Sequence, residues 1–131
     1  ASAVISLTPQ TEMARLQVEG LPDACHKRGL DWFHLPVEDD AAPAAEFDQG
    51  WAREREKILA ILDEEGALAI HCKGGSGRTG LMAAIILLER GMGLEQVTST
   101  VQRLRPKALR LQAHVEHLIE LADKLGKGGQ S

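Results

Sequence analysis

One stretch of the chain dictates a strand, a tight turn and a helix in succession: Ala69-Ile70-His71-Cys72-Lys73-Gly74-Gly75-Ser76-Gly77-Arg78-Thr79-Gly80. The apolar lead-in from Ala67 to Ile70 reads as a buried strand, and Leu81 to Leu88 reads as a buried helix. Glycines at 74, 75 and 77 let the backbone between them turn without Cβ clashes, so its N–H groups can converge on one anion. The helix N-terminus adds unpaired donors and the positive end of a dipole. Such a field lowers the pKa of a thiol, and Cys72 is expected to sit there as thiolate. The stretch therefore reads as a phosphate-binding loop that contains a nucleophile, with Lys73, Gly74, Gly75, Ser76, Gly77 and Arg78 as its anion-binding residues.

The remaining pattern supplies a scaffold for that loop. Ala3 to Leu7 reads as a first strand, Pro22 to Arg28 as a short helix closed by Gly29, and Asp31 to Val37 as a second strand with alternating side chains. Glu38 to Ala45 reads as loop. Glu46 to Glu65 reads as a helix with Phe47, Trp51, Ile58 and Leu62 on one stripe and Gly66 as its stop. After the strand Ala67 to Cys72 come helices over Gly77 to Arg90, stopped by Gly91, over Leu94 to Arg105, with Leu94, Val97, Val101 and Leu104 on one side, and over Ala108 to Leu125. Strands alternating with helices, followed by helices alone, predict an α/β fold with a central parallel-leaning sheet flanked by helices. No repeat or linker divides the chain, so residues 1–125 are expected to form a single domain and residues 126–131 a polar, Gly-rich tail.

Composition excludes several classes. A chain of 131 residues with 44% hydrophobic content is large enough for one real core. A net charge of −4 and a sequence pI of about 5.7 argue against nucleic acid as a partner and against an anionic membrane surface. Neither end shows a signal peptide, and no run of apolar residues is long enough to insert in a membrane. Two cysteines, one of them in the loop, speak against a disulfide framework and for a reducing, cytoplasmic compartment. A zinc site finds no ligands at the required spacing, since His71 and Cys72 are adjacent and Cys25 stands alone. A Walker A loop would need Gly-Lys-Ser/Thr where this chain has Gly77-Arg78-Thr79.

The run His71-Cys72 to Arg78-Thr79 resembles the His-Cys-x5-Arg-Thr signature of the cysteine-dependent protein tyrosine and dual-specificity phosphatases. Leu35-Pro36-Val37-Glu38-Asp39-Asp40-Ala41-Ala42-Pro43 is similar to the general-acid loop of the kinase-associated branch, and Leu81 to Arg105 is similar to that branch's helices. The resemblance spans about Ile5 to Leu125. It implies a protein tyrosine and dual-specificity phosphatase-like fold in which Cys72 attacks phosphorus in line and forms a thiophosphate. Arg78 would bind two equatorial oxygens in a bidentate fork. Thr79 would hydrogen-bond the sulfur as it leaves, His71 would hold the cysteine backbone, and Asp39 would be the general acid in preference to Glu38 or Asp40. No metal or other cofactor is implied, because loop N–H groups and Arg78 offset the charge of the phosphoryl group.

The same resemblance shapes what is expected of substrates and chain ends. Low-molecular-weight phosphatases share the Cys-x5-Arg spacing but carry it near the N-terminus, whereas about seventy residues precede it here. Lys73 resembles the loop of phosphoinositide phosphatases, whose second lysine is replaced here by Ser76. The expected substrates are thus phosphorylated proteins, with a phosphoinositide or other small phosphate ester as the alternative and a non-catalytic phosphate-binding adaptor as the reading from another class. Small members of the family carry an earlier strand or turn, so residues before Ala1 are expected. The branch has Gln-Thr where this chain has Arg110 and Leu111. Oligomeric state is left open, and a monomer is compatible with everything above.

Overall fold

The computed structural model describes residues 3–7, 25–37, 43–71 and 77–129. They group into two compact units, 3–7, 25–37 and 43–71 in the first and 77–129 in the second. The first unit holds three parallel strands, β1 (Ala3–Ser6), β2 (Asp31–His34) and β3 (Leu68–His71), in the order β2-β1-β3. Central β1 is the most deeply buried. Ala3, Ile5 and Ser6 are inaccessible to solvent, as expected of a parallel strand covered on both faces.

The regular ladder of β2 stops at His34, three residues before the expected end at Val37. Pro36 has no N–H to donate. The Leu35 amide still bonds to the Ser6 carbonyl and that of Val37 to the Leu7 carbonyl, both at 2.9 Å, so the chain stays beside β1 around the gap left by the proline.

Helix α1 (Ala45–Asp63) packs Phe47, Trp51 and Ile58 inward, with Phe47 and Trp51 stacked at 6.4 Å. Gly50 completes that stripe for a steric reason. A Cβ there would stand 2.8 Å from Leu35 Cδ2. The helix stops at a different residue from the one expected. Glu65, at φ +64°, takes the left-handed position, while the Glu65 amide bonds to the Leu62 carbonyl and the Gly66 amide to that of Ile61. This paired closure normally places glycine at the left-handed residue, and the turns at Gly29 and Gly91 do so with equivalent bonds. An L-residue in that conformation costs about 1–2 kcal/mol, partly offset because glycine loses more entropy on folding. Glu65→Gly is therefore expected to stabilise the protein by roughly 0.5–1 kcal/mol, read as a higher urea midpoint at unchanged slope. A lower midpoint would mean that the Glu65 side chain contributes more than its backbone costs.

The second unit contains α2 (Arg78–Glu89), α3 (Leu94–Leu104) and α4 (Gln112–Gly129). Leu81, Met82, Ala84, Ile85, Ile86 and Leu88 of α2 are all buried, which makes it the core helix of the unit. On α3 the expected stripe holds for Val97 and Val101, but Leu104, the last helical residue before Pro106, is 78% exposed. The final helix begins at Gln112 instead of Ala108, and it runs to Gly129, past the expected end at Leu125. Leu109 adopts φ +59° within the turn that precedes it, so helical geometry is taken up only beyond that residue.

Candidate active site

Each half of the strand-turn-helix stretch is positioned by its own unit. In the first, β3 ends at His71, in register with Ser6 at the end of β1, which is itself in register with His34 at the end of β2. In open parallel sheets, ligands gather beyond the carboxyl ends of the strands, and that is where the chain leaves β3 toward Cys72. Ser6 Oγ is buried there without a hydrogen-bond partner among the described residues, a polar group that sequence reasoning did not single out.

In the second unit, Gly77 at φ +82° is the N-cap of α2, and as a glycine it has no side chain with which to cap the helix. A Cβ on Gly77 would meet nothing within 4 Å, so glycine is required there by its backbone angle alone. The first turn is then Arg78, Thr79 and Gly80. Arg78 has no solvent exposure, and it is the largest of the fully buried side chains among the described residues. Burying a guanidinium is expensive unless its charge is matched. The first turn of α2 holds no acidic residue, whereas α1 has Glu46 and Asp48 and α3 has Glu95. Arg78 is engaged by other groups, and its buried cation coincides with the positive end of a helix whose first turn carries no acidic residue, an environment that suits an anion.

Of the residues expected at the site, the structure places Gly77 at the N-cap of α2, Arg78 and Thr79 on its first turn and His71 at the end of β3. Cys72, Lys73, Gly74, Gly75 and Ser76 lie outside the described residues, as do Glu38, Asp39 and Asp40. Cys25 is buried and free, on a single helical turn, consistent with a packing residue. His114 on α4 is buried as well.

Three polar and steric features near α2 were not foreseen. Gly80 is pressed against Ala108, Gln102 bonds to the carbonyls of the turn that carries Ala108, and Arg110 Nε donates to the Pro106 carbonyl at 3.1 Å. Arg110, where the kinase-associated branch has glutamine, thus ties its own turn.

Comparison with known proteins assigns the chain a family and a fold. Residues 2–92 match the family described as "Tc-R-P: Polymorphic toxin system, DSP-PTPase phosphatase". The chain belongs to this family. Among curated relatives, cyclin-dependent kinase inhibitor 3 of Sus scrofa is 29% identical over 117 residues, covering 87% of this chain and 54% of that protein. Tyrosine-protein phosphatase CDC14 of Candida albicans is 28% identical over 81 residues, covering 61% of this chain and 14% of that protein. The chain thus spans about half the length of the first relative and a small part of the second. Among solved structures, kinase associated phosphatase with its catalytic-site cysteine replaced by serine superposes with a TM-score of 0.81 at 25% identity, over 95% of this chain and 70% of that one. Tk-PTP in its active form superposes at 0.75 with 30% identity, over 93% and 78%. The α/β architecture is that of the protein tyrosine and dual-specificity phosphatases, and the likeness to the kinase-associated branch holds in both sequence and fold. Among the described residues no helix is long and apolar enough to cross a membrane.

Proposed function

We propose that this chain is a metal-independent phosphate-monoester hydrolase that works through a cysteinyl-phosphate intermediate on phosphotyrosine or mixed phosphoresidues of proteins. The observation that carries the reading is Arg78. It is fully buried in the first turn of a helix whose N-cap is a glycine, six residues after a cysteine that follows a parallel strand, in a chain of the dual-specificity phosphatase family. In this reading Cys72 forms the sulfur–phosphorus bond as the ester oxygen leaves with a proton from Asp39. Water then cleaves the thiophosphate, and the sulfur departs as thiolate with a hydrogen bond from Thr79. Arg78 and the loop amides carry the charge on the equatorial oxygens throughout. Residues 1–125 would act as one phosphatase domain, and a content of only two cysteines favours the cytoplasm.

The test is a side-by-side assay. An aryl phosphate and a phosphotyrosine peptide panel are expected to be turned over at rates that EDTA leaves unchanged, with soluble inositol phosphates slower. Loss of activity on chelation, restored by added metal, would overturn the metal-free mechanism. Faster turnover of inositol phosphates would move the substrate to the small-molecule class suggested by Lys73. Binding of phosphate without turnover of any substrate would make the chain an adaptor.

A further inference from the structure

The turn between α3 and α4 holds the first turn of α2 in a bracket. Ala108 sits so close to Gly80 that a Cβ on the glycine would lie 2.4 Å from the Ala108 Cβ and 3.3 Å from Val101 Cγ1. The turn that presents Ala108 is itself bent through a left-handed leucine, Leu109 at φ +59°. Strain of this kind persists only where surrounding contacts over-determine it, and an observed outlier next to a site is grounds for asking what it holds. Two side chains hold this one. Gln102, half-buried near the end of α3, donates from Nε2 to the Ala108 carbonyl at 3.1 Å and more weakly to that of Leu109 at 3.4 Å. Arg110 ties the opposite limb to Pro106.

Packing alone would not fix the bracket. A cavity of about 120 Å³, lined among others by Gly80, Val101, Leu104 and Arg105, opens beside the Gly80 contact. Its apolar walls offer no directional bond, and it gives the helix start and the turn room to shift. Gly77, the N-cap of α2, also has no side chain with which to pin the first turn. Beside the backbone bond from the Ala108 amide to the carbonyl of Arg105, the C-cap of α3, at 2.9 Å, the bonds from Gln102 are the side-chain hydrogen bonds the structure gives between α3 and this turn.

We infer that Gln102 is a positioning residue for Arg78, setting the guanidinium by holding the Ala108–Leu109 turn against Gly80. Arg78 and Gly80 share one helical turn, so a displacement of one is passed rigidly to the other. Bidentate recognition needs its groups within about 0.5 Å of productive geometry. The inference rests on the phosphatase reading for its kinetic consequence, while its structural half stands without it.

The experiment compares wild type with Gln102→Glu, which keeps size and removes the donor, Gln102→Met, which keeps length and is apolar, and Gln102→Lys, which keeps a donor on a longer stem. With an aryl phosphate, the Glu and Met variants are expected to lose about 10-fold in kcat with little change in KM, and Lys to retain most of it, since a slightly misplaced fork chiefly harms the transition state. Hydrogen exchange supplies a readout independent of turnover. The Leu81 amide, bonded to the Gly77 carbonyl at 3.1 Å, and its neighbour at Met82 should exchange about 10-fold faster in the Glu and Met variants, with α1 unchanged. If wild type turns over no phosphate ester, the phosphatase reading fails and amide exchange alone decides the bracket. If wild type is active but the Glu and Met variants match it in both readouts, Gln102 holds nothing. A uniform rise in exchange across the chain, with kcat falling equally in all three variants, would make its role one of general stability and would equally overturn the inference.

Discussion

Cys72→Ser is expected to leave no measurable hydrolysis while the protein still binds phosphate and vanadate-like oxyanions. The two effects separate because they depend on different atoms. Nucleophilic attack needs a group that is already ionised, and a serine hydroxyl without an adjacent base stays protonated at neutral pH. Anion binding needs the loop amides and the Arg78 fork, neither of which the substitution touches. Arg78→Lys inverts the pattern. The ammonium can supply charge but not two parallel donors in one plane, and it must do so from a position where the Arg78 side chain is fully buried. A loss on the order of 10²-fold or more in rate is expected, together with weakened oxyanion binding. Steady-state turnover and equilibrium oxyanion binding measured on the same preparations check both. Turnover in Cys72→Ser above a blank purified in parallel would move the nucleophile elsewhere.

What could be read from the sequence depended on how local each cause was. Gly91 stops α2 because a glycine follows the last apolar residue, and the pattern that announces it lies within a few residues. The same reasoning misplaced the stop of α1 by one residue. Gly66 was the obvious candidate, yet Glu65 takes the left-handed angle. The bonds closing the turn count residues from the helix end, and the chain accepts an L-residue where that count falls. The start of α4 was lost for a longer-range reason. Ala108, Leu109, Arg110 and Leu111 are all good helix formers, and their composition says nothing of a contact with Gly80 nearly thirty residues earlier.

The site divides along the same line. Arg78 could be proposed from its spacing to Cys72, a pattern that lies wholly within the sequence. Its complete burial could not, since burial is decided by whatever packs around the first turn of α2. Gln102 left no signal at all. A polar residue at the end of an amphipathic helix is ordinarily solvated, and only the coordinates connect it to two carbonyls across the turn. Gly80 held the one hint, a glycine inside a strongly apolar helix, where it lowers helix stability unless a close approach requires it.

Asp39→Asn is expected to have an effect whose size depends on the leaving group. As the ester bond to phosphorus breaks, an alkoxide or a poorly acidic phenoxide must take up a proton, so a carboxylic acid has to stand across the substrate from Cys72 on a segment able to close over it. Glu38 to Ala45 is the acidic segment the sequence offers for this. Within it, Asp39 occupies the position after Pro36-Val37 and before Pro43 that the kinase-associated branch gives to its acid. Removing a general acid costs roughly 10²- to 10⁴-fold when the leaving group needs protonation. With phenyl phosphate or a phosphopeptide the loss should fall in that range, and with the ester of a strongly acidic phenol it should be slight, since such a phenoxide leaves unaided. The sign of the pH effect follows from the same requirement. The acid works only while protonated, so the wild-type rate falls as pH rises through its titration, and Asp39→Asn should flatten that basic limb while sparing the acidic one. Glu38→Gln and Asp40→Asn serve as internal controls, expected to preserve both the limb and the leaving-group ratio. An equal loss on both kinds of ester, or a larger loss in Asp40→Asn, would reassign the proton to another residue.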